Sequence, residues 1–478
     1  MTQAVSQPGA RHVVIGSGAG GATTARLLAE AGEEVLVIEE GPRLSSADFA
    51  GSKIDLMGTL YRDGGVTPIF GRPNIAFGEG CCVGGSTVIN GALLWRPPAD
   101  LLARWESQYG LAGLGSAEMD ARLAWLEREL AVSVQPERDV NRASWLLADA
   151  AAQLGWRSEL APRGQRGCRN SNRCPTGCPT GAKQSMLVSF LPAAEKAGAR
   201  IVSGIEALRL VVRHGRAVAV EASKGGQTVR IDGEFFWVCG GPMQSPRLLA
   251  ASGIKAGAGL GLHLNLKVVA RFDHDLAPHQ GTIMAVQVKE HADRGILLGG
   301  SNFDPVYLAA TLASHGTEVV ERVAADWCRS SIFVAQFKAS GRGSVGRMPF
   351  ADRPLPRYSL TGDDIATARL ALERMAELLF AAGARELFLP IVGSPPVHNL
   401  DTARQIAGAA TAARLDVLSV HALASCHSAL DSSGRVRGLA NVVVNDASML
   451  PEAPGINPQL TIMAMAGRNV QRHLESAS

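Results

Sequence analysis

Near the N-terminus, two short apolar runs flank a glycine-rich turn and a stretch rich in Ala and Leu. The segment RHVVIGSGAGGATTARLLAEAGEEVLVIEEGP covers residues 11–42. Short apolar runs bounded by turn signals are typical of buried strands, and the stretch between them is long enough for a helix. The pattern predicts a strand, a turn, a helix and a second strand, which is the opening unit of an α/β fold.

The turn has the glycine spacing of a dinucleotide-binding unit. Gly16, Gly18 and Gly21 follow the GxGxxG pattern between the first strand and the helix. The first glycine permits the sharp turn, the second lets a pyrophosphate approach, and the third lets the helix pack on the strand. Glu39 closes the second strand, where an acid can bind the hydroxyls of an adenosine ribose. These residues predict a dinucleotide site but do not separate FAD from NAD.

A second glycine-rich segment, GEGCCVGGSTVINGALLWRPP, covers residues 78–98. Gly84, Gly85 and Ser86 interrupt any regular element and expose successive backbone N–H groups, a shape that suits a phosphate or a flavin edge. For this segment by itself, an ordinary glycine turn before a helix is the alternative.

Two later segments combine an apolar strand with a loop and a helix. The stretch GGPMQSPRLLAASGI follows the strand EFFWVCG and predicts a helix that starts at Ser245 and Pro246, because proline is tolerated in a first turn. Near the C-terminus, GLANVVVNDASMLPEAPGINPQL predicts a strand that ends at Asp446, a proline-rich loop, and a helix that opens at Asn457 and Pro458. Each segment is expected to extend the α/β unit.

Between these motifs, helical and extended patterns follow one another. Residues 100–150 are predicted to be mostly helical. The segments GILLGGSNF, SSIFVAQFKASGRGSVGRM and RPLPRYSL predict strands, and a long helix is predicted to start after Thr361 and Gly362.

Composition narrows the class of protein. A chain of 478 residues is long enough for two or three domains, and 19% charged residues indicate a globular protein. The formal net charge of +3 gives no sign of a nucleic-acid or anionic-membrane partner. Neither a signal-peptide pattern nor an apolar run long enough to span a membrane is present. We therefore expect a cytoplasmic protein whose eight cysteines are mostly reduced.

Taken together, the four motifs resemble those of the glucose-methanol-choline (GMC) family of FAD-dependent alcohol oxidoreductases. Its first flavin-contacting motif is matched by Gly84, Gly85, Ser86 and Asn90. Its second motif is matched by Gly241, Ser245, Pro246, Leu248, Leu249, Ser252, Gly253 and Ile254. Its C-terminal flavin loop is matched by Asp446, Ala447, Ser448, Pro451, Asn457, Pro458 and Thr461.

The resemblance implies the fold class, the domains and the cofactor. It implies an α/β chain with a discontinuous Rossmann-type FAD-binding domain and an antiparallel-sheet α+β substrate domain. The expected flavin-domain pieces are residues 1–100, 155–270 and 411–478, with a helical segment at 101–154 and the substrate domain at 271–410. FAD is expected rather than NAD. Some members attach FAD through a His before Asn90; because Ile89 stands there, we expect non-covalent binding.

Family motif positions also imply the catalytic residues. By these positions, His421 is expected to remove the hydroxyl proton of an alcohol while the carbinol hydride passes to the flavin. Asn457 cannot take a proton, but its amide can donate a hydrogen bond to the substrate oxygen. The segment departs from the family pattern at Ala424 and at His427. His427 remains open between a structural and a substrate-loop role.

Three thiols in eleven residues, Cys168, Cys174 and Cys178, raise the question of a metal site. Paired knuckles and a fourth ligand are not evident, and similar loops occur in GMC members that act on long-chain alcohols and sugars. We therefore expect no metal and a loop that positions Lys183 and Ser185 near the flavin, with zinc binding and a disulfide as alternatives.

The alcohol itself is not fixed by these motifs. We expect a small-molecule alcohol, most simply a primary hydroxyl of a sugar or an aminoglycoside-type compound from antibiotic biosynthesis, with oxygen or another electron acceptor. Sterol, aryl and fatty alcohols are alternatives within the family. A hydroxynitrile-lyase-like flavoprotein and a non-enzymatic metal-binding protein are alternatives outside alcohol oxidation.

Overall fold

The computed structural model describes residues 5–477. The N-terminal segment, in which the sequence shows no signal-peptide pattern, therefore has its first four residues outside the described range. The α-helices within this range are α1 (Ala19–Glu30), α2 (Lys53–Leu60), α3 (Ala99–Tyr109), α4 (Ala117–Glu129), α5 (Arg142–Gln153), α6 (Phe190–Lys196), α7 (Gly241–Ala251), α8 (Pro305–Leu312), α9 (Thr317–Ala324), α10 (Gly362–Ala381), α11 (Leu400–Gly408) and α12 (Gln459–Ala477). Within residues 5–477, no helix is long and apolar enough to cross a membrane.

The strands of the same range form two large sheets and one small ribbon. They are β1 (Val5–Ile15), β2 (Val35–Glu39), β3 (Thr67–Ile69), β4 (Ile75–Phe77), β5 (Val132–Ser133), β6 (Ser158–Leu160), β7 (Arg163–Gly164), β8 (Arg200–Ser203), β9 (Ile205–Arg213), β10 (Arg216–Lys224), β11 (Gln227–Val238), β12 (Ala258–Arg271), β13 (Val286–Val288), β14 (Ile296–Gly300), β15 (Ser330–Lys338), β16 (Gly343–Arg347), β17 (Pro354–Arg357), β18 (Glu386–Phe388), β19 (Leu418–Leu423) and β20 (Val442–Val444).

The first sheet contains the predicted glycine-turn unit. β1 pairs in parallel with β2 and β11, and β2 pairs in parallel with β8. β11 pairs in parallel with β20 at its carboxyl end and forms an antiparallel meander with β10 and β9 at its other end. Since parallel neighbours need a crossover, α1 connects β1 to β2 and brings both carboxyl ends to one edge. The predicted α/β class is confirmed.

The second sheet is mainly antiparallel and is centred on β12. Its path runs β3-β4-β19-β12-β15-β14-β13-β6, and β16, β17 and β18 branch from it. Helices α5, α10 and α11 bury their apolar residues against one of its faces. α10 begins after Thr361, whose side chain accepts a hydrogen bond from the backbone N–H of Asp364 in a capping box. The predicted start of this long helix is confirmed, and the other face of the sheet is left to the cavity described below.

One predicted helix boundary is wrong. Helix α7 begins at Gly241 rather than at Ser245, so Pro246 lies inside it. A proline there cannot donate to the carbonyl of Pro242, four residues earlier. The hydroxyl of Ser425 donates to that carbonyl instead, at 2.6 Å. A residue from β19's following loop thus supplies the hydrogen bond that the helix lacks, which no local rule could anticipate.

Five strands that the predicted domain boundaries assign to the flavin domain pair in the second sheet: β3, β4, β6, β12 and β19. β12, which ends near the boundary expected at residue 270, pairs with β15, β18 and β19. β19 carries His421 and lies within the expected C-terminal flavin piece of residues 411–478. The catalytic candidate therefore lies on the substrate-domain sheet and faces the flavin side across the cavity.

Candidate active site

A cavity of about 690 Å³ lies between the two sheets. The carboxyl ends of β1, β2 and β11 bound one side of it, and residues of β12, β14, β15 and β19 bound the other. Ligands of open α/β sheets bind outside the carboxyl ends of the strands. The cavity therefore lies where a dinucleotide of the first sheet would meet a substrate held by the second.

The three glycines of the turn have the roles that their spacing predicts. Gly16 has a φ of +100°, and a Cβ there would lie 2.4 Å from the carbonyl oxygen of Cys239. A Cβ on Gly21 would lie 2.0 Å from the carbonyl oxygen of Gly16, so helix and turn are in direct contact. A Cβ on Gly18 would meet no atom within 4 Å, and Gly18 lines the cavity. The open position is the one through which a pyrophosphate would approach.

Glu39 lies at the carboxyl end of β2 and is held by the glycine turn. Its Oε2 accepts hydrogen bonds from the backbone N–H of Ser17 at 2.9 Å and from the Ser17 hydroxyl at 2.7 Å, and its Oε1 accepts from the N–H of Gly41 at 3.1 Å. The Ser17 hydroxyl also accepts from the N–H of Gly84, at 2.9 Å. Burial raises the pKa of the Glu39 carboxyl. Ser17 was not among the predicted residues, although its place inside GxGxxG was a signal.

The second glycine segment forms part of the cavity wall. Gly85, Ser86 and Asn90 line the cavity, and the Ser86 hydroxyl accepts from the N–H of Gly80 at 2.9 Å. The amide nitrogen of Asn90 donates to Oε1 of Gln459 at 2.7 Å, which links this segment to the start of α12. These positions support the prediction that this motif contacts the bound cofactor.

Asp446 joins the C-terminal loop to helix α7. Its Oδ2 accepts from the N–H of Gly241 at 2.9 Å and from the Ser245 hydroxyl, and its Oδ1 accepts from the N–H of Ser448 at 2.7 Å and from the Ser448 hydroxyl. Burial raises the pKa of this carboxyl, and the four donors oppose that rise. Ser245 had been assigned to a motif, but its partner could not be seen in the sequence.

Most of the predicted site residues share this cavity. Its walls include Gly16, Gly18, Glu39, Gly85, Ser86, Asn90, His421, Asp446, Ala447, Asn457 and Pro458. Two predicted cofactor residues, Gly21 and Gly84, lie behind the wall, where they hold the turn and the Ser17 hydroxyl in place. Gly21 and Gly84 thus have a structural role. The positions of the other predicted cofactor residues are compatible with direct contacts to one bound dinucleotide.

His421 forms a pair with a second histidine that the motif comparison had not indicated. Nδ1 of His421 lies 3.1 Å from Nδ1 of His263, its register partner on β12. Nε2 of His263 accepts a hydrogen bond from the backbone N–H of Gly455 at 2.9 Å. His263 is fully buried, whereas His421 lines the cavity and is partly accessible from it. In residues 5–477, Nε2 of His421 has no hydrogen-bond partner.

This chain of contacts decides where hydrogens lie on the two rings. Because Nε2 of His263 accepts, the neutral ring of His263 carries its hydrogen on Nδ1 and donates it to Nδ1 of His421. His421 then carries its own hydrogen on Nε2. Burial lowers the pKa of His421 to about 4 and holds the pKa of His263 well below its usual range. At neutral pH both rings are uncharged.

Asn457 lies in the loop before α12, which begins two residues later at Gln459. Its Oδ1 accepts from the side-chain amide of Gln287 at 3.5 Å. This contact leaves the Asn457 amide nitrogen, among the described residues, as a donor without a protein partner. A donor of this kind in the cavity wall suits a substrate oxygen, as predicted from its position.

The cysteine loop supports the flavin motif rather than a metal. Its three cysteines line a second, smaller cavity: Cys168, Cys174 and Cys178. The ammonium of Lys183 donates to the carbonyl oxygens of Val88, Asn90 and Cys174 at 2.5, 2.9 and 2.7 Å, and burial lowers its pKa to about 8. Within residues 5–477, no three His, Cys, Asp or Glu side chains are arranged to hold a metal ion.

Of the two departures from the family pattern near His421, the structure explains His427 but not Ala424. Ala424 has a φ of +67°, the left-handed region in which glycine is favoured and alanine is strained. Nδ1 of His427 lies 3.0 Å from the carbonyl oxygen of Met449, and its ring packs edge-on against Tyr109 at 5.2 Å. His427 is outside the cavity wall. These contacts favour the structural role for His427.

The residues present fit FAD. The turn leaves open space at Gly18, Glu39 stands at the end of β2, and Asn90 and Ala447 extend the wall toward His421. The residue before Asn90 is Ile89, which lines the cavity and has no nucleophilic atom. The glycine turn and Glu39 would hold the adenosine diphosphate half of FAD. Asn90 and the histidine pair would border the part of the cavity that takes the flavin ring system. This arrangement is compatible with the non-covalent binding that we expect.

Comparison with known proteins identifies the family. Residues 57–269 and 344–466 match the two domains described as GMC oxidoreductase, and residues 14–68 match an NAD(P)-binding Rossmann-like domain. The crystal structure of pyridoxine 4-oxidase from Mesorbium loti superposes with a TM-score of 0.76 at 18% identity and covers 98% of this chain and 99% of that one. At this identity the superposition shows the shared fold.

Three relatives extend over nearly the whole chain. An uncharacterized GMC-type oxidoreductase of Sinorhizobium fredii is 34% identical over 98% of this chain and 95% of its own length. A long-chain-alcohol oxidase of Arabidopsis thaliana is 26% identical over 95% of this chain and 65% of its own. A paromamine 6'-oxidase of Streptomyces fradiae is 28% identical over 96% of this chain and 90% of its own. The chain therefore belongs to the GMC oxidoreductases, which makes it an FAD-dependent oxidoreductase that acts on CH–OH groups.

Proposed function

We propose that this protein oxidises a primary hydroxyl of a polar, sugar-like alcohol to the aldehyde. Bound FAD supplies the acceptor for the carbinol hydride. The observation that carries the proposal is the cavity wall in which His421 and Asn457 stand beside the flavin motifs. Oxygen or another acceptor would reoxidise the cofactor, and a cytoplasmic location stays a prediction of the sequence.

In this proposal, His421 and Asn457 share the substrate oxygen. The amide nitrogen of Asn457 donates a hydrogen bond that orients the hydroxyl and favours developing negative charge on its oxygen. His421 removes the hydroxyl proton at Nε2, the ring nitrogen without a protein partner. For Nε2 to accept a proton, His421 must carry its own hydrogen on Nδ1 and donate it to Nδ1 of His263. His263 must then carry its hydrogen on Nε2, where it faces the N–H of Gly455 and no longer accepts from it. The cost is one hydrogen bond, about 1–3 kcal/mol, which is small beside a catalytic barrier.

The charges of the cavity wall bear on the substrate class. Its carboxylates are already engaged: Glu39 with Ser17, Glu40 and Glu79 with Arg62, Asp304 with Lys53, and Asp446 with Ser245. A polycation such as an aminoglycoside would have to compete for them. The wall therefore favours a neutral or anionic sugar-like alcohol over the aminoglycoside alternative, which rests on motif resemblance and on similarity to a paromamine 6'-oxidase.

The first test is anaerobic flavin reduction by purified holoenzyme. A panel of sugars, aminoglycosides, sterols, aryl alcohols and fatty alcohols is mixed with it, and bleaching of the yellow cofactor is followed. Bleaching by an alcohol excludes a purely lyase-like flavoprotein. Oxygen consumption compared with dye reduction then separates an oxidase from a dehydrogenase. Failure of every alcohol to bleach the flavin would contradict the proposal.

The second test removes the proposed base. We expect His421→Ala to keep its flavin and to lower the rate constant of flavin reduction by about 10²–10⁴, the usual contribution of a positioned base. His427→Gln is the matched control, since that ring lies six residues away in sequence and outside the cavity wall. An unchanged reduction rate in His421→Ala, measured by stopped-flow absorbance, would remove His421 from the mechanism.

A further inference from the structure

The cavity face of the second sheet carries polar side chains on neighbouring strands. Side chains alternate between the faces of a strand. On β12, Leu264, Leu266 and Val268 enter the core beneath the helices. The alternate positions therefore face the other way, and both Asn265 and Lys267 line the cavity. This part of the cavity wall therefore carries polar side chains among apolar ones such as Leu298 and Val334.

Two of these side chains are buried amides without partners. Asn265 and Gln336 are register partners on β12 and β15, with exposed fractions of 5% and 8%. Among the residues that the structure describes, neither side chain makes a hydrogen bond. Both amides line the cavity and are free to bind a ligand there. A hydroxylated molecule, which donates and accepts hydrogen bonds, suits both.

Lys267 lies two residues farther along the same face. Its ammonium contacts the Tyr307 hydroxyl and lies 3.9 Å from the centre of the Tyr307 ring. Asp304 is the carboxylate of the cavity wall that precedes Tyr307 by three residues. It is bound to Lys53 at 3.1 Å and caps α8 by accepting from the N–H of Tyr307 at 2.8 Å. In residues 5–477, Lys267 has no ion pair.

The missing counter-charge explains how Lys267 behaves. Burial lowers the pKa of the Lys267 ammonium to about 7, and Asp416 opposes this only in part. An ammonium that has no carboxylate in contact attracts an anion, because the interaction is strong where water is excluded. Tyr307 can add a hydrogen bond from its hydroxyl to the same anion. The cavity thus has an anion-attracting end on the substrate-domain side.

The spacing along β12 sets the size of the ligand. His263, which contacts His421, and Lys267 are four residues apart, so their Cα atoms are about 13 Å apart at 3.3 Å per residue. His421 and Lys267 both line the cavity, one near each end of this span. A molecule that reaches from His421 to Lys267 is therefore no longer than about 13 Å, which admits a sugar-sized ligand.

We propose that Lys267, with Tyr307, Asn265 and Gln336, forms a subsite for an anionic group on a hydroxylated substrate, at the end opposite to the hydroxyl that is oxidised. The ligand class is a sugar-sized acid, either a carboxylate or a phosphate ester, with a free primary hydroxyl. This inference rests on the proposed alcohol oxidation for its orientation, because the reacting hydroxyl is assigned to the His421 end.

The test uses matched ligands that share a primary hydroxyl and differ in charge. Sorbitol and glucose are neutral, gluconate carries a carboxylate, glucose 1-phosphate carries a phosphate, and glucosamine is cationic. With His421→Ala holoenzyme, in which Lys267 is retained, we expect dissociation constants for the anionic pair at least about tenfold below those of the neutral pair, from one charge-assisted hydrogen bond. Binding is measured by the change in the flavin absorption spectrum in His421→Ala, so turnover is not required. The better ligand of gluconate and glucose 1-phosphate tells carboxylate from phosphate.

Lys267→Gln is the diagnostic variant, and Lys53→Gln is its control because Lys53 also lines the cavity but is paired with Asp304. We expect Lys267→Gln to weaken anionic ligands by about tenfold or more and to leave neutral ligands and flavin content unchanged. Both substitutions are made in the His421→Ala background. Equal binding of charged and neutral ligands to His421→Ala, or equal losses for both when Lys267→Gln is added, would overturn the subsite. If the anions bind as expected while no alcohol bleaches the flavin, the alcohol oxidation fails and the anion subsite stands.

Discussion

At the scale of single residues, the site is defined by hydrogen bonds that fix which atoms can donate and which can accept. The N–H of Gly455 makes Nε2 of His263 an acceptor, and His263 in turn occupies Nδ1 of His421. His263 touches no reacting atom in this arrangement. In the proposed mechanism it is a positioning residue: it holds the ring of His421 through Nδ1, excludes water from the buried side of that ring, and changes from donor to acceptor when His421 takes the hydroxyl proton.

The pH dependence of flavin reduction follows from the pKa of His421. Burial lowers that pKa to about 4, so the ring is protonated below pH 4 and neutral above it. A protonated His421 cannot accept a proton, so we expect the rate constant of flavin reduction to rise with pH through about 4 and then to level off. Anaerobic stopped-flow measurements from pH 3.5 to 8 check this. A rate that falls as pH rises across that range would contradict the base assignment.

Substitution of His263 should move this profile. In His263→Ala, water can reach His421, so its pKa should rise toward its ordinary value of about 6.5 and the profile should shift to higher pH. His263→Gln keeps an acceptor for Gly455 and a donor for His421, and we expect it to restore most of the wild-type profile. A purely structural role would lower the rate without moving the profile.

At the scale of elements, the start of helix α7 differs from the start predicted from Pro246, and the difference reveals a contact between two distant segments. Pro246 is compatible with a helix start, yet the helix begins at Gly241. The carbonyl that Pro246 leaves free is satisfied by Ser425, four residues after His421 in the chain. The helix that follows the second flavin motif is thereby connected to the strand that carries the catalytic candidate.

A double-mutant cycle measures this connection. Ser425→Ala should lower the free energy of unfolding by about 1–2 kcal/mol, because the carbonyl of Pro242 loses its donor. In a Pro246→Ala background the new backbone N–H can donate to that carbonyl, so the cost of Ser425→Ala should fall by about 1 kcal/mol. Urea unfolding of the four proteins gives the coupling, and equal costs in both backgrounds would show that the two donors do not share the carbonyl.

At the scale of the whole molecule, the flavin domain is assembled from distant pieces of chain. Asp446 follows β20 and holds the start of α7 through Gly241 and Ser245, about 200 positions earlier in sequence. Lys183 similarly connects the cysteine loop to Val88 and Asn90. These buried groups connect segments that no single motif contains.

Loss of the Asp446 carboxylate should therefore affect cofactor retention. In Asp446→Asn, an amide NH2 would face donors that now meet a carboxylate oxygen, and breaking such a buried network costs about 3–5 kcal/mol. We expect a lower melting temperature and a lower flavin-to-protein ratio after purification. Asp401→Asn is the control, since the Asp401 side chain is 96% exposed. Full flavin content in Asp446→Asn would show that this junction is not required for the cofactor.

The sequence by itself determined the cofactor chemistry, because that chemistry depends on residues that are close in the chain. Gly16 and Gly21 stand where a Cβ would collide with backbone, and Gly18 leaves open the position through which a pyrophosphate would approach. The family motifs likewise indicated the flavin walls and the positions of His421 and Asn457. The long helix after Thr361 was predictable because a capping box is local.

Tertiary structure decided what surrounds the reacting hydroxyl. His263 and His421 are 158 positions apart, and only the antiparallel register of β12 with β19 brings their rings together. The same sheet sets Asn265 opposite Gln336 and places Lys267 on the cavity side. Such pairings depend on which strands are neighbours and on the strand register, and a shift of one residue would turn each side chain to the other face. The sequence therefore determined the class of reaction, and the fold decided how the proposed base, His421, is held and which side chains surround the proposed substrate site.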